Sequence, residues 1–149
     1  MAKMRRRGSL RWPLEVAAVA LTLALCAVQS HAAAPVPAKA APQIRCGWFD
    51  NPTPQNASLV DREGAWTISV QGGHAAIFSK GGGWPPRFSK SQWVQTNAGS
   101  YGYGCACMKV TVDAERGTIT RIISATAKPL SACRNDPAIR DSEPFNPLK

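Results

Sequence analysis

Cys105-Ala106-Cys107-Met108-Lys109-Val110-Thr111-Val112, followed beyond Asp113-Ala114-Glu115-Arg116-Gly117 by Thr118-Ile119-Thr120-Arg121-Ile122-Ile123-Ser124, reads as a β-hairpin. Apolar and polar side chains alternate with a period of two. The connector offers a tight turn in which Gly117 is free to take positive φ. Working outward, Ala65-Trp66-Thr67-Ile68-Ser69-Val70 repeats the pattern and puts Trp66, Ile68 and Val70 on one face, with Gly64 before it and Gln71-Gly72-Gly73 after it. Cys46-Gly47-Trp48-Phe49 and Ala57-Ser58-Leu59-Val60 are shorter strand candidates. Asn51-Pro52-Thr53-Pro54 separates them as a stretch that cannot continue a ladder. No ten-residue window carries a helical stripe, although Leu130–Arg134 can form one turn. The expected fold is mostly β: a small antiparallel barrel or strongly twisted sheet, disulfide-bridged, with little helix.

The chain has 149 residues and a formal charge of +9, from 18 basic and 9 acidic groups. Five of the bases (Lys3, Arg5, Arg6, Arg7 and Arg11) precede residue 12. They are followed by an apolar run from Val16 to Val28 and a small-residue exit at Ser30-His31-Ala32. This is the pattern of a secretory signal peptide over residues 1–32. The run is shorter than the roughly 20 apolar residues of a transmembrane helix, so no stable membrane insertion is expected after cleavage. Residues 33–43 form a Pro/Ala linker, residues 44–134 the disulfide-bridged β domain, and residues 135–149 a flexible tail. Beyond residue 32 there remain 13 basic and 8 acidic groups, a net of +5. With the triple arginine assigned to the signal, nothing argues for a nucleic-acid partner. The expected location is periplasmic or secreted.

Removing Cys26 with the signal leaves Cys46, Cys105, Cys107 and Cys133, an even number in a small exported domain. Cys105 and Cys107 lie two apart on one strand, with Cα atoms about 7 Å apart, so a bond between them would need a bulge or turn. Cys46 and Cys133 are therefore each expected to bond one member of that pair, and the sequence leaves open which. The alternatives are a soft-metal site at Cys105-Ala106-Cys107-Met108 or a thiol-redox pair. His74, the only histidine beyond the signal, sits among glycines in a turn and has no catalytic partner. Asp50, Asp61 and Glu63 occupy turn-like contexts, and Gly81-Gly82-Gly83 lacks the lysine of a phosphate loop. No catalytic residue, metal site or cofactor is assigned.

Aromatic rings stand out in the loops, where Ser79-Lys80-Gly-Gly-Gly-Trp84-Pro-Pro-Arg87-Phe88 and Asn97-Ala-Gly-Ser-Tyr101-Gly-Tyr103-Gly104 set them among glycines and prolines. Trp84, Arg87, Tyr101 and Tyr103 are the candidate binding residues, suited to an envelope protein, peptide or glycan. The competing reading has these rings folding back to complete a thin core.

Three segments carry a resemblance: Cys46-Gly-Trp-Phe-Asp-Asn-Pro-Thr-Pro54, the stretch from Asp61 through Gly64-Ala-Trp66-Thr-Ile68 to Gln71-Gly-Gly73, and Gln92-Trp-Val94 with Tyr101-Gly-Tyr-Gly-Cys-Ala-Cys-Met-Lys109. From about residue 45 to residue 134 the chain resembles the domain of unknown function 4087 family of small exported bacterial proteins. The resemblance implies an exported, cysteine-bridged domain and assigns no catalytic residue. The function expected is that of a non-enzymatic envelope binding protein, either an inhibitor of an envelope-directed hydrolase or a ligand-binding module. Metal binding or thiol-redox chemistry at Cys105/Cys107 is the alternative.

Overall fold

The computed structural model describes residues 40–145. The signal peptide expected over residues 1–32, most of the expected linker and residues 146–149 of the expected tail lie outside the described residues. Seven strands form one sheet: β1 (Gln43–Thr53), β2 (Asn56–Asp61), β3 (Gly64–Ser69), β4 (Ile77–Phe78), β5 (Trp93–Gln95), β6 (Gly102–Asp113) and β7 (Thr118–Lys128). A five-residue helix, α1 (Leu130–Arg134), and a 3₁₀ turn over Arg140–Ser142 follow. The fold is thus mostly β, as the period-two alternation implies, and disulfide-bridged.

Strands β1, β2 and β3 are joined by hairpins, and β6 returns after a long connection to lie antiparallel beside β1, from Gln43↔Val110 to Asn51↔Gly102. Three hairpin-linked strands with a fourth beside the first make a Greek key. Strand β7 pairs antiparallel with β6 and meets β3 in parallel at Thr67↔Thr118, supported by a 2.9 Å bond from the Thr67 N–H to the Gly117 carbonyl. The five longer strands therefore close into a ring, a partly open Greek-key barrel of the OB type. Register shifts at Lys109/Val110 and Thr111/Val112 bend the β6–β7 ribbon. Such irregularities increase local twist and let a sheet curl on itself. Beyond the β3 contact, the other edge of β7 is occupied by β4 and by a bond from the Ala125 N–H to the Gly82 carbonyl.

Alternation along β1 and β6 creates two cores. Phe49, Leu59, Trp66, Ile68, Met108, Val110, Ile119 and Ile122 fill the barrel. On the outer face, Trp48, Tyr103, Cys105, Cys133 and Ile139 form a second cluster beneath α1 and the 3₁₀ turn. Strand β6 is thus buried on both faces, which is why its sequence reads as apolar over most of its length. At the far end of the barrel Arg45 and Asp61 form a buried ion pair (2.7 Å), and the Arg45 guanidinium lies 3.8 Å over the Trp66 ring.

Both sulfur bridges obey the expected rule. Cys46 joins Cys107, its register partner across β1 and β6, and Cys105 joins Cys133 on α1. The two disulfides point to an oxidising, extracytoplasmic environment.

Four local expectations are corrected. Strand β1 runs on through Asn51-Pro52-Thr53, because Pro52 falls where the β1–β2 register is interrupted, between Asp50 and Thr53, so its missing N–H costs no ladder bond there. Gln43, placed in the linker, already pairs with Val110 in β1. Val70 does not share the buried face of Trp66 and Ile68: β3 stops at Ser69, and Val70 is exposed. Residues 136–143, assigned to a flexible tail, are docked. Ile139 is buried, its carbonyl accepts from Trp48 Nε1 (2.8 Å), and Glu143 accepts from the Tyr103 hydroxyl (2.8 Å). One isoleucine is enough to anchor the segment, because the outer face of β1 and β6 offers an apolar surface that would otherwise face water.

Candidate functional site

The connection from β3 to β6 carries the loop aromatics to one end of the barrel. Phe88 stacks on Phe49 (ring centroids 5.9 Å apart, planes at 12°), and Trp93 tilts against both. Gly104 explains why the Tyr-Gly-Tyr-Gly motif needs its last glycine. A Cβ there would lie 2.5 Å from Phe88 Cε1 and 2.7 Å from the Gln92 carbonyl, so any side chain would evict the ring. Trp84, followed by a cis peptide bond to Pro85, stands edge-on to Phe49 at 5.6 Å. It stacks on the exposed ring of Phe78 at 5.2 Å with planes at 13°.

The Phe78–Trp84 pair is the wall between two clefts, each of about 620 Å³. One is lined by Asn51, Gln55, Ala57, Ser69 and Val70, and the other by Ser79, Lys80, Arg87 and the three glycines Gly81, Gly82 and Gly83. A smaller cleft of about 350 Å³ on the far side of Pro85 includes Lys90 and Trp93. No acidic side chain lines any of the three, and among the described residues Lys80, Arg87 and Lys90 make no salt bridge. Gln55 holds a left-handed backbone (φ 60°) in the β1–β2 turn, a conformation that glycine or asparagine adopts more readily. It follows Pro54 in that turn, the position at which a turn begun by proline takes positive φ.

Of the four candidate residues, the structure brings Trp84 and Arg87 together on one cleft. Tyr101 is half-buried in the turn between β5 and β6, where its carbonyl accepts from the Thr96 N–H, and it lines none of these clefts. Tyr103 is a correction. It is 1% exposed, packs edge-on against Trp48 at 5.7 Å, and belongs to the outer core. As a strand residue between Gly102 and Gly104, it turns away from the barrel interior and under the docked segment. Sequence reasoning passed over Phe78, Phe49 and Gln55. The Ile77-Phe78 pair standing between two glycine clusters is the signal that could have found the first.

Burial, together with the bond to Glu143, raises the Tyr103 phenol from 10.0 to about 12. The folded state thus holds this proton more tightly than the unfolded chain. Its contribution to stability is complete below pH 10.0 and is lost as pH rises through about 12. Alkaline unfolding followed by phenolate absorbance should show this loss in the wild type and not in Tyr103→Phe. Equal alkaline sensitivity of the two proteins would refute it. Asp50, half-buried on the outside of β1, is also held above the usual carboxylate range by burial, partly offset by the Asn51 backbone N–H.

His74 is half-buried, with Nε2 2.8 Å from the Ile119 carbonyl, and serves the hairpin that follows β3. Among the described residues no group of three His, Cys, Asp or Glu side chains could hold a metal ion, and the Cys105 and Cys107 sulfurs are both in disulfides. No helix among the described residues is long and apolar enough to cross a membrane. No curated protein and no solved structure matches the chain significantly. The family model described as "Protein of unknown function (DUF4087)" matches residues 40–140, which span the whole barrel and the docked segment up to Arg140, and the chain belongs to that family.

Proposed function

We propose that this protein is a non-enzymatic binding protein of the cell envelope, periplasmic or secreted, that holds its ligand at the barrel end around Trp84 and Arg87. The observation that carries this reading is the Phe78–Trp84 stack. Two large rings stand against each other between two open clefts on a disulfide-braced scaffold. Such half-exposed aromatic groups on rigid supports are typical binding anchors. The cations beside them make no salt bridge among the described residues, and no carboxylate lines the clefts they border. With no acid or base at these clefts, binding is favoured there over acid–base catalysis.

The test is capture of envelope components on the immobilised protein, with Trp84→Ala as the matched control. A component retained by the wild type should be lost with the variant, which should unfold as cooperatively as the wild type because Trp84 is only half-buried. Equal retention by both proteins would refute the assignment of the face. So would collapse of the variant, which would return Trp84 to the core.

A further inference from the structure

We infer that the ligand is an acidic glycan, a chain of sugar residues bearing carboxylate or sulfate groups. The inference rests on the binding role proposed above and specifies its chemistry. Three features of the barrel end converge on it.

The first is shape. A sugar ring has an apolar C–H face and a hydroxyl-bearing edge, so it needs a flat apolar platform flanked by uncharged hydrogen-bonding groups. Phe78 and Trp84 provide the platform, and Gln55 and Ser69 bring an amide and a hydroxyl to the adjoining cleft. About 620 Å³ on each side is the size of a small-molecule site, enough for a short run of sugar residues.

The second is charge. Lys80 and Arg87 rim the cleft on one side of the platform, and Lys90 lies in the third cleft beyond Pro85, with no carboxylate lining any of them. Unpaired cations at the rim of a site attract an anionic ligand and set its orientation. A neutral saccharide would leave them unused. A nucleic-acid strand would require phosphate contacts along its path and successive rings free to stack on bases. Here only three cations, Lys80, Arg87 and Lys90, line the clefts, too few to follow a phosphate path.

The third is position. Gln55 from the β1–β2 turn, Ala57 of β2 and Ser69 of β3 line one cleft. Strands 2 and 3 with the first turn form the region where barrels of the OB type take oligosaccharides and oligonucleotides. This is agreement by fold analogy, added to the two local observations.

Calorimetric titration of the purified protein with hexamers of oligogalacturonate, oligomannuronate and sulfated heparin tests the inference, with neutral chitohexaose and single-stranded oligothymidylate as comparators. At least one acidic hexamer should bind more tightly than either comparator, with affinity that falls as salt rises. Trp84→Ala should weaken that binding about thirtyfold, as loss of an aromatic anchor does. The exposed pair Lys80→Glu/Arg87→Glu should weaken it about tenfold and remove most of its salt dependence while melting as the wild type does. No binding to any acidic hexamer, or tighter binding to chitohexaose or to the oligonucleotide, would overturn the acidic-glycan assignment. If the preferred probe were still lost in Trp84→Ala, the binding face itself would stand. Acidic-glycan binding that survives both variants would overturn the placement of the ligand at this face.

Discussion

Asp61→Ala is expected to destabilise the domain by about 3–5 kcal/mol, the usual cost of removing one partner of a buried ion pair. Both side chains are almost fully enclosed, at 3% exposure for Arg45 and 4% for Asp61. Asp61 also accepts from Trp66 Nε1 at 3.1 Å and from the Glu63 N–H at 2.8 Å, so its removal orphans three donors. The remaining carboxylate beside the guanidinium, Glu63, is largely exposed, and Gln43, which also accepts from it, is uncharged, so neither can replace Asp61. Most of the loss comes from leaving a charge uncompensated, so a second substitution should recover much of it. Arg45→Leu combined with Asp61→Leu should be far more stable than Asp61→Ala alone, since an apolar pair of similar volume is often neutral or better. Denaturant unfolding of the three proteins decides the point. An Asp61→Ala variant within about 1 kcal/mol of wild type would show that the pair behaves as a solvated one.

Trp48→Ala should cost a similar amount, about 3–5 kcal/mol, by opening a cavity in the outer core. Trp48 is fully buried, packs on Tyr103, and anchors the docked segment through its bond to the Ile139 carbonyl. In a domain of this size the melting temperature should fall by more than about 10 °C. Trp48→Phe keeps most of the packing but leaves the Ile139 carbonyl unpaired, and should cost only about 1–2 kcal/mol. Limited proteolysis supplies a second readout, with cleavage between Asp136 and Glu143 faster in Trp48→Ala than in wild type. Unchanged cleavage would mean that the segment is held by other contacts.

The β character of the domain and its central hairpin were legible because alternation is a local property, written into neighbouring residues of β3, β7 and the second half of β6. The cysteine rule was legible for the same reason: residues two apart on a strand share a face and cannot easily bond each other. The site was half legible. Trp84 and Arg87 meet at one cleft, while Tyr103, in an equally glycine-rich context, lies in the core. Local composition does not separate these rings, because what buries Tyr103 arrives from Trp48 and from residues 139 and 143, far away in the chain.

The residues alone determined the period, and with it the strands, the rule for Cys105 and Cys107, and the absence of long helices from the domain. Tertiary structure decided which cysteine meets which. Cys105 and Cys107 face the same way, and only the β1–β6 register sets Cys46 opposite Cys107 and leaves Cys105 for Cys133 on α1. It also decided that a short polar segment would dock, since Ile139 finds its apolar partners only once β1 and β6 are side by side. Faces and periods follow from the chemistry of adjacent residues, whereas register and burial depend on partners that the fold brings together from distant parts of the chain.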